Sequence, residues 1–168
     1  MKNAQQLMQS FLVGMALFTP LASTAASSNV VATANLVPAI VIVKNADLAF
    51  GNLFPTTVAG TVKMDAANNR TQTGGILLLT SNIGNSATFS LAGSNSAVYV
   101  ITLPNTVTLT GPSGATMTAS AFSSNPSGTG TFNNSGSASL AVGATLNVSA
   151  AQTMGAYSGS FVINVEQQ

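Results

Sequence analysis

The chain has 168 residues, of which 46% are hydrophobic and only 4% charged, and its formal net charge is +1. It contains no Cys, His or Trp, which excludes disulfides, Cys/His metal sites and catalysis by a thiol or an imidazole. So few charged side chains cannot neutralise a row of phosphates, and we expect no nucleic-acid binding. A surface this poor in charge favours association with other molecules.

The first 25 residues have the features of a cleaved signal peptide. Lys2 supplies a positive start, residues 11–18 form an apolar run, and small residues at 23–25 suit cleavage after Ala25. An uncleaved membrane anchor is the alternative, but the apolar run is well short of the roughly 20 residues that span a bilayer. We therefore expect export to the periplasm, the cell surface or the medium, with no membrane span in the mature protein.

Residues 26–43 are predicted to form an N-terminal arm and a first strand. Both faces of residues 30–43 are apolar, and Pro38, which cannot donate to a ladder, divides the segment. One interpretation is an edge strand shared between the two sheets of its own domain. The other is that residues 27–36 add a strand to a neighbouring subunit. In that case four alternate side chains would fill successive pockets: Val30, Ala32, Ala34 and Leu36.

The rest of the chain has the pattern of an all-β protein. Short runs of Val, Ile, Thr, Leu and Phe alternate with Gly, Asn, Ser and Pro, and no helical period persists. Apolar and polar residues alternate within several runs, which favours an immunoglobulin-like antiparallel β-sandwich with Greek-key connections, one domain over residues 26–168. Residues 123–136 are the most loop-like stretch. Strands are predicted at residues 30–44, 47–50, 60–64, 75–79, 87–91, 98–103, 107–110, 116–122, 139–142, 145–149 and 156–165.

The only charged cluster is formed by Lys63, Asp65 and Arg70, around a predicted hairpin turn at residues 66–69. Lys63 and Asp65 are expected to form an exposed ion pair, and Arg70 could cap a loop by bonding backbone carbonyls. Asp65 with Asn68 and Asn69 could donate oxygens to calcium, but such residues are more often turn formers. No carboxylate spacing fits a metal loop, and no motif fits a nucleophile. We expect no enzyme activity, no metal and no cofactor.

Several segments of the chain carry a family resemblance: residues 44–51, Arg70 with Thr71, Gly74 with Gly75, and residues 99–104, 140–148 and 155–165. Together they resemble the DUF4402 family of small exported bacterial proteins. The closing segment, with Gly155 and Tyr157 before alternating apolar residues, is also similar to spore-coat-U-like domains and archaic chaperone–usher pilins. The first resemblance spans nearly the whole predicted mature chain and implies no known activity; the second implies assembly into fibres.

Two classes of function remain open from the sequence. The first is a structural subunit of a surface fibre or matrix, whose partners are copies of itself or related surface subunits, with a periplasmic chaperone as a further partner. The second is an adhesin-like module that holds a glycan or a protein through loops such as residues 123–136. Sugar sites favour aromatic platforms, and this chain has no Trp and only two Tyr. The first class is therefore preferred.

Overall fold

The computed structural model describes residues 26–34, 36 and 39–168. The chain divides into two units at residue 35, and every strand among the described residues lies in the second unit, residues 36–168. The fold is all-β, as predicted, and every strand pair is antiparallel. The predicted signal peptide and Pro38 lie outside the described residues. The strands are β1 (Val41–Ala46), β2 (Leu53–Met64), β3 (Arg70–Leu78), β4 (Ala87–Ala92), β5 (Val98–Thr102), β6 (Thr106–Thr110), β7 (Thr116–Asn125), β8 (Thr129–Thr131), β9 (Ser137–Val148) and β10 (Asn164–Gln167).

Strand β9 organises the larger, seven-stranded sheet. Its first half pairs with β4 and its second half with β2, while β7 pairs with residues between Ala141 and Asn147. Ala141 and Val142 pair with both β4 and β7, so those two strands lie on opposite edges of β9. Strands β1, β3 and β6 extend this sheet from β4, β2 and β7 respectively. The smaller sheet has the order β10-β5-β8.

Two buried clusters form the core. The first packs under β2, β3, β7 and the second half of β9, and includes Val62, Ile76 and Leu146. The second packs between β4, the first half of β9 and the smaller sheet, and includes Leu91 and Tyr99. Residues two apart along a strand share a face, so the alternation seen in the sequence accounts for both clusters.

A glycine lies where β9 changes its neighbour from β4 to β2. A Cβ at Gly143 would collide with the backbone from Met64 to Ala66. We expect Gly143→Val to lower the free energy of unfolding by about 2 kcal/mol, the usual range for forcing volume into a packed site. Urea unfolding followed by circular dichroism measures this. Ala141→Val, two residues away and only half-buried, is the control and should stay close to wild type.

The first and last strands are shorter than predicted. The first begins at Val41, whereas the described residues from 26 to 40 are in no strand, so the prediction of a strand from residue 30 is wrong. The last begins at Asn164 rather than at residue 156; before it, Ser158 forms only a bridge to Thr110. Between Ser158 and Asn164 the chain leaves β6, in the larger sheet, and reaches β5, in the smaller one. It therefore cannot pair with one strand along residues 156–165.

Three further predictions are corrected by the strand pairing. Residues 47–50 form only a bridge between Ala49 and Asn85, since the chain turns at Gly51 with φ of 74°. The strands predicted at 139–142 and 145–149 are one strand, β9, because Gly143 is an extended residue tight against β2 rather than a turn. The predicted loop at 123–136 contains the end of β7 and the whole of β8, which pair with β9 and β5.

Candidate functional site

The predicted donor arm is exposed throughout its described residues. Residues 26–34 and 36 have no regular secondary structure, and Val30 and Leu36 are 88% and 90% exposed. Ala32 and Ala34 are also exposed. The described residues of the arm therefore do not form the divided edge strand that was one of the two interpretations. Three exposed large apolar side chains within seven residues, Val30, Val31 and Leu36, are typical of an interaction segment.

Strand β1 is an edge strand whose core-facing side is incompletely covered. Among the described residues it pairs only with β4, in a register that places Ile42 opposite Leu91. Residues directly opposite in an antiparallel pair point to the same face. Leu91 is 2% exposed, yet Ile42 is 37% exposed. The layer that covers Leu91 therefore stops short of β1, and an apolar core-facing side chain is left in contact with water.

The C-terminal segment has a second free edge with the same property. Strand β10 pairs only with β5 within the described chain, and Val165 lies opposite Ile101, which is buried. Val165, Ile163 and Phe161 are only half-buried, although all three pack on the second core cluster. Ile40, just before β1, packs on that same cluster. We call residues 40–43 and 161–165 the open edges. Their strand residues pair on one side only within the described chain, and both segments border one apolar cluster.

Arg70 ties two loops together at the start of β3. Its guanidinium donates hydrogen bonds from Nη1 to the carbonyl of Asn82, at 2.9 Å, and from Nη2 to those of Leu79 and Asn52, at 3.0 and 3.1 Å. Gly51 leaves the space that the guanidinium occupies. The prediction that Arg70 caps a loop through backbone carbonyls is confirmed, and because all three of its hydrogen bonds go to the backbone, its role is structural.

Asp65 closes the hairpin turn between β2 and β3. Its Oδ1 accepts hydrogen bonds from the N–H groups of Ala67 and Asn69, at 2.9 and 2.8 Å, and its Oδ2 from the Asn69 side chain. The predicted ion pair with Lys63 is absent, because the carboxylate turns back onto its own loop. Asn68 Oδ1 accepts from the N–H of Ser86. Both Asp65 oxygens and Asn68 Oδ1, which were considered for calcium, thus accept hydrogen bonds from the protein itself. The described residues contain no group of three His, Cys, Asp or Glu side chains that could hold a metal ion.

The Asp65 carboxylate in this turn makes the stability of the fold depend on pH in the acid range. Hydrogen bonds from Asn69, from its backbone first, lower the pKa of Asp65 below its ordinary value of 3.8. A group whose pKa is lowered on folding stabilises the fold above its ordinary pKa and loses that effect as the pH falls through the lowered value. We expect the melting temperature to drop below about pH 4. The same titration of Asp65→Asn should show a smaller drop; an equal drop would exclude Asp65 as its source.

A half-enclosed groove of about 510 Å³ lies over the first core cluster. Its floor includes Leu109, Met117 and Leu146, and no charged side chain lines it. At one wall the Tyr157 hydroxyl donates to the carbonyl of Thr153 and accepts from the side chain of Gln152. The Tyr157 hydroxyl is thus paired within the protein both as donor and as acceptor. The groove is not lined by residues 123–136, where a binding loop was predicted.

A family comparison covers nearly all of this architecture. The model of DUF4402, described as a domain of unknown function, matches residues 40–166, from just before β1 into β10. The chain belongs to the DUF4402 family. No significant match was found among curated proteins or among solved structures. The matched region contains both open edges but not the arm. Within the described residues, no helix is long and apolar enough to cross a membrane.

Proposed function

We propose that this DUF4402 protein is an exported, non-enzymatic structural subunit of a surface fibre or extracellular matrix. Subunits join by β-strand addition, in which residues 27–36 of one copy lie along the open edges of another. The contrast between Ile42 and Leu91 carries the proposal, because one more strand at this place would cover Ile42 as Leu91 is already covered.

The arm has the chemistry that such an edge requires. Residues 27–36 carry no charge, so they can approach the uncharged segments 40–43 and 161–165 without the cost of burying an ion. Val30, Ala32, Ala34 and Leu36 alternate along an extended chain and would all face the cluster. Each large apolar side chain that becomes fully buried contributes about 1.5–3 kcal/mol, and the new main-chain hydrogen bonds add to this.

We also propose that the fold is an immunoglobulin-like β-sandwich. The two sheets pack against one buried cluster, which supports an immunoglobulin-like sandwich lacking a strand at its open side. The similarity of the closing segment to spore-coat-U-like and pilin domains agrees with this arrangement. A periplasmic chaperone would then act by covering the open edges until a second subunit arrives, since exposed edges invite misassembly.

Removing the arm tests the proposal. The purified exported chain is compared with a variant in which residues 27–36 are replaced by a Gly/Ser segment of equal length, so that only the side chains change. Sedimentation velocity over a range of concentrations measures the size of the particles. We expect oligomers from the natural chain and monomers from the variant. Equal size distributions, at every concentration, would rule out the arm as the connecting element.

A further inference from the structure

Lys44 occupies an unexpected place on the edge strand. In the register of β1 with β4 it lies opposite Phe89, a buried core residue, so it projects from the core-facing side together with Ile40 and Ile42. Its side chain is 57% exposed, and its Nζ pairs with Oδ1 of Asp47 at 2.6 Å. The ladder shifts register immediately afterwards, between Lys44 and Ala46.

An inward-pointing charge on an edge strand has a specific physical consequence. Any strand that continues the sheet past Lys44 takes the Lys44 side chain out of water, and burying its ammonium group, even paired with Asp47, is unfavourable. The residues before it, Ile40 and Ile42, carry no such penalty. The edge can therefore pair with an added strand along residues 40–43 but not from Lys44 onward. The shift in register after Lys44 interrupts the ladder at the same point.

We propose that Lys44 determines which strand the β1 edge accepts: it prevents the β1 strands of two copies from pairing edge to edge and leaves the edge to the uncharged arm of a second copy. The inference rests on the proposed function for the identity of the accepted strand. A β1–β1 pair would bring a second Lys44 onto the same core-facing side, whereas residues 27–36 bring no charge. Lys44 thus acts as a specificity-determining residue of the interface.

The test uses the full exported chain with its arm disabled by Val30→Asp and Ala32→Asp, so that β1–β1 pairing is the association measured. Adding Lys44→Ile should restore self-association, with a dissociation constant at least about tenfold lower than that of the arm-disabled parent. Adding Lys44→Arg should leave the parent unchanged. Asp47→Asn should also leave it unchanged, because the lysine charge remains when its partner is removed. Circular dichroism verifies that each variant is folded.

A matched control is provided by Lys63, which lies on β2 with strands paired on both of its sides. Lys63→Ile adds the same apolar side chain away from any free edge and should not promote association. If Lys44→Ile associates no more than Lys44→Arg or Lys63→Ile, the inference is overturned. If the arm substitutions leave the association of the wild-type chain unchanged, the proposed function fails instead. In that case the self-association of Lys44→Ile and of Lys44→Arg, each in the otherwise natural chain, is compared. Stronger association of Lys44→Ile supports the role of Lys44, and equal association overturns it.

Discussion

We expect a chain with Val30→Asp and Ala32→Asp to lose its self-association. Both side chains lie on the parity that would face the core cluster of the accepting subunit, and each exchange replaces a buried apolar contact by a charge. A loss of at least about 3 kcal/mol of binding free energy follows, which weakens the dissociation constant more than a hundredfold. Analytical ultracentrifugation of the purified chains measures the effect.

The neighbouring positions supply the control for this experiment. Val31→Asp with Thr33→Asp adds the same two charges to the same segment, but on the parity that would point to solvent after strand addition. We expect this pair to keep most of the association. Equal losses in both double variants would show that net charge, and not the alternation of the arm, controls assembly.

The second large effect is expected at Arg70. Replacing it by Met removes hydrogen bonds to the carbonyls of Asn52, Leu79 and Asn82 and releases the two loops that they join. Hydrogen bonds to a charged group contribute about 1.5–3 kcal/mol each, but these lie in a partly exposed place and are not additive. We expect the free energy of unfolding to fall by about 3 kcal/mol, measured by urea denaturation.

Lys63→Met is the matched substitution for Arg70→Met. Lys63 is an exposed cation seven residues earlier in the chain, and it forms no ion pair among the described residues. Its loss should change the free energy of unfolding by less than about 0.5 kcal/mol. Should Arg70→Met prove as mild as Lys63→Met, the loops must be held by other contacts, and the structural role assigned to Arg70 would be incorrect.

Local patterns in the sequence are sufficient to predict some of the strands in the middle of the fold, of which β4 is the best example. Phe89 and Leu91, with polar neighbours between them, place β4 and its buried face correctly, because alternation depends on a few adjacent residues. The ends of the chain behave differently. The apolar residues from 30 to 40 and from 156 to 163 satisfy the same pattern, yet whether they pair depends on a neighbouring strand that local sequence does not specify.

Of the two surfaces that would meet in the candidate interface, only the arm could be predicted from the sequence. The alternation of Val30, Ala32, Ala34 and Leu36 marks the arm directly in the sequence. The open edges depend on the topology, since the exposure of Ile42 has meaning only once Leu91 is known to lie opposite. Lys44 illustrates the same limit: nothing in the sequence shows that a lysine beside a run of valines projects toward the core side of an edge strand.

The absence of cysteine from the chain permits a direct measurement of strand addition. One preparation carries Val30→Cys or Ala32→Cys, a second carries Ile42→Cys or Ile163→Cys, and the two are mixed under mild oxidation. We expect a disulfide-linked heterodimer from at least one combination, and none when the first preparation carries Val31→Cys, which faces away. Absence of cross-links from every core-facing pair, or equal cross-linking by Val31→Cys, would contradict strand addition through the arm.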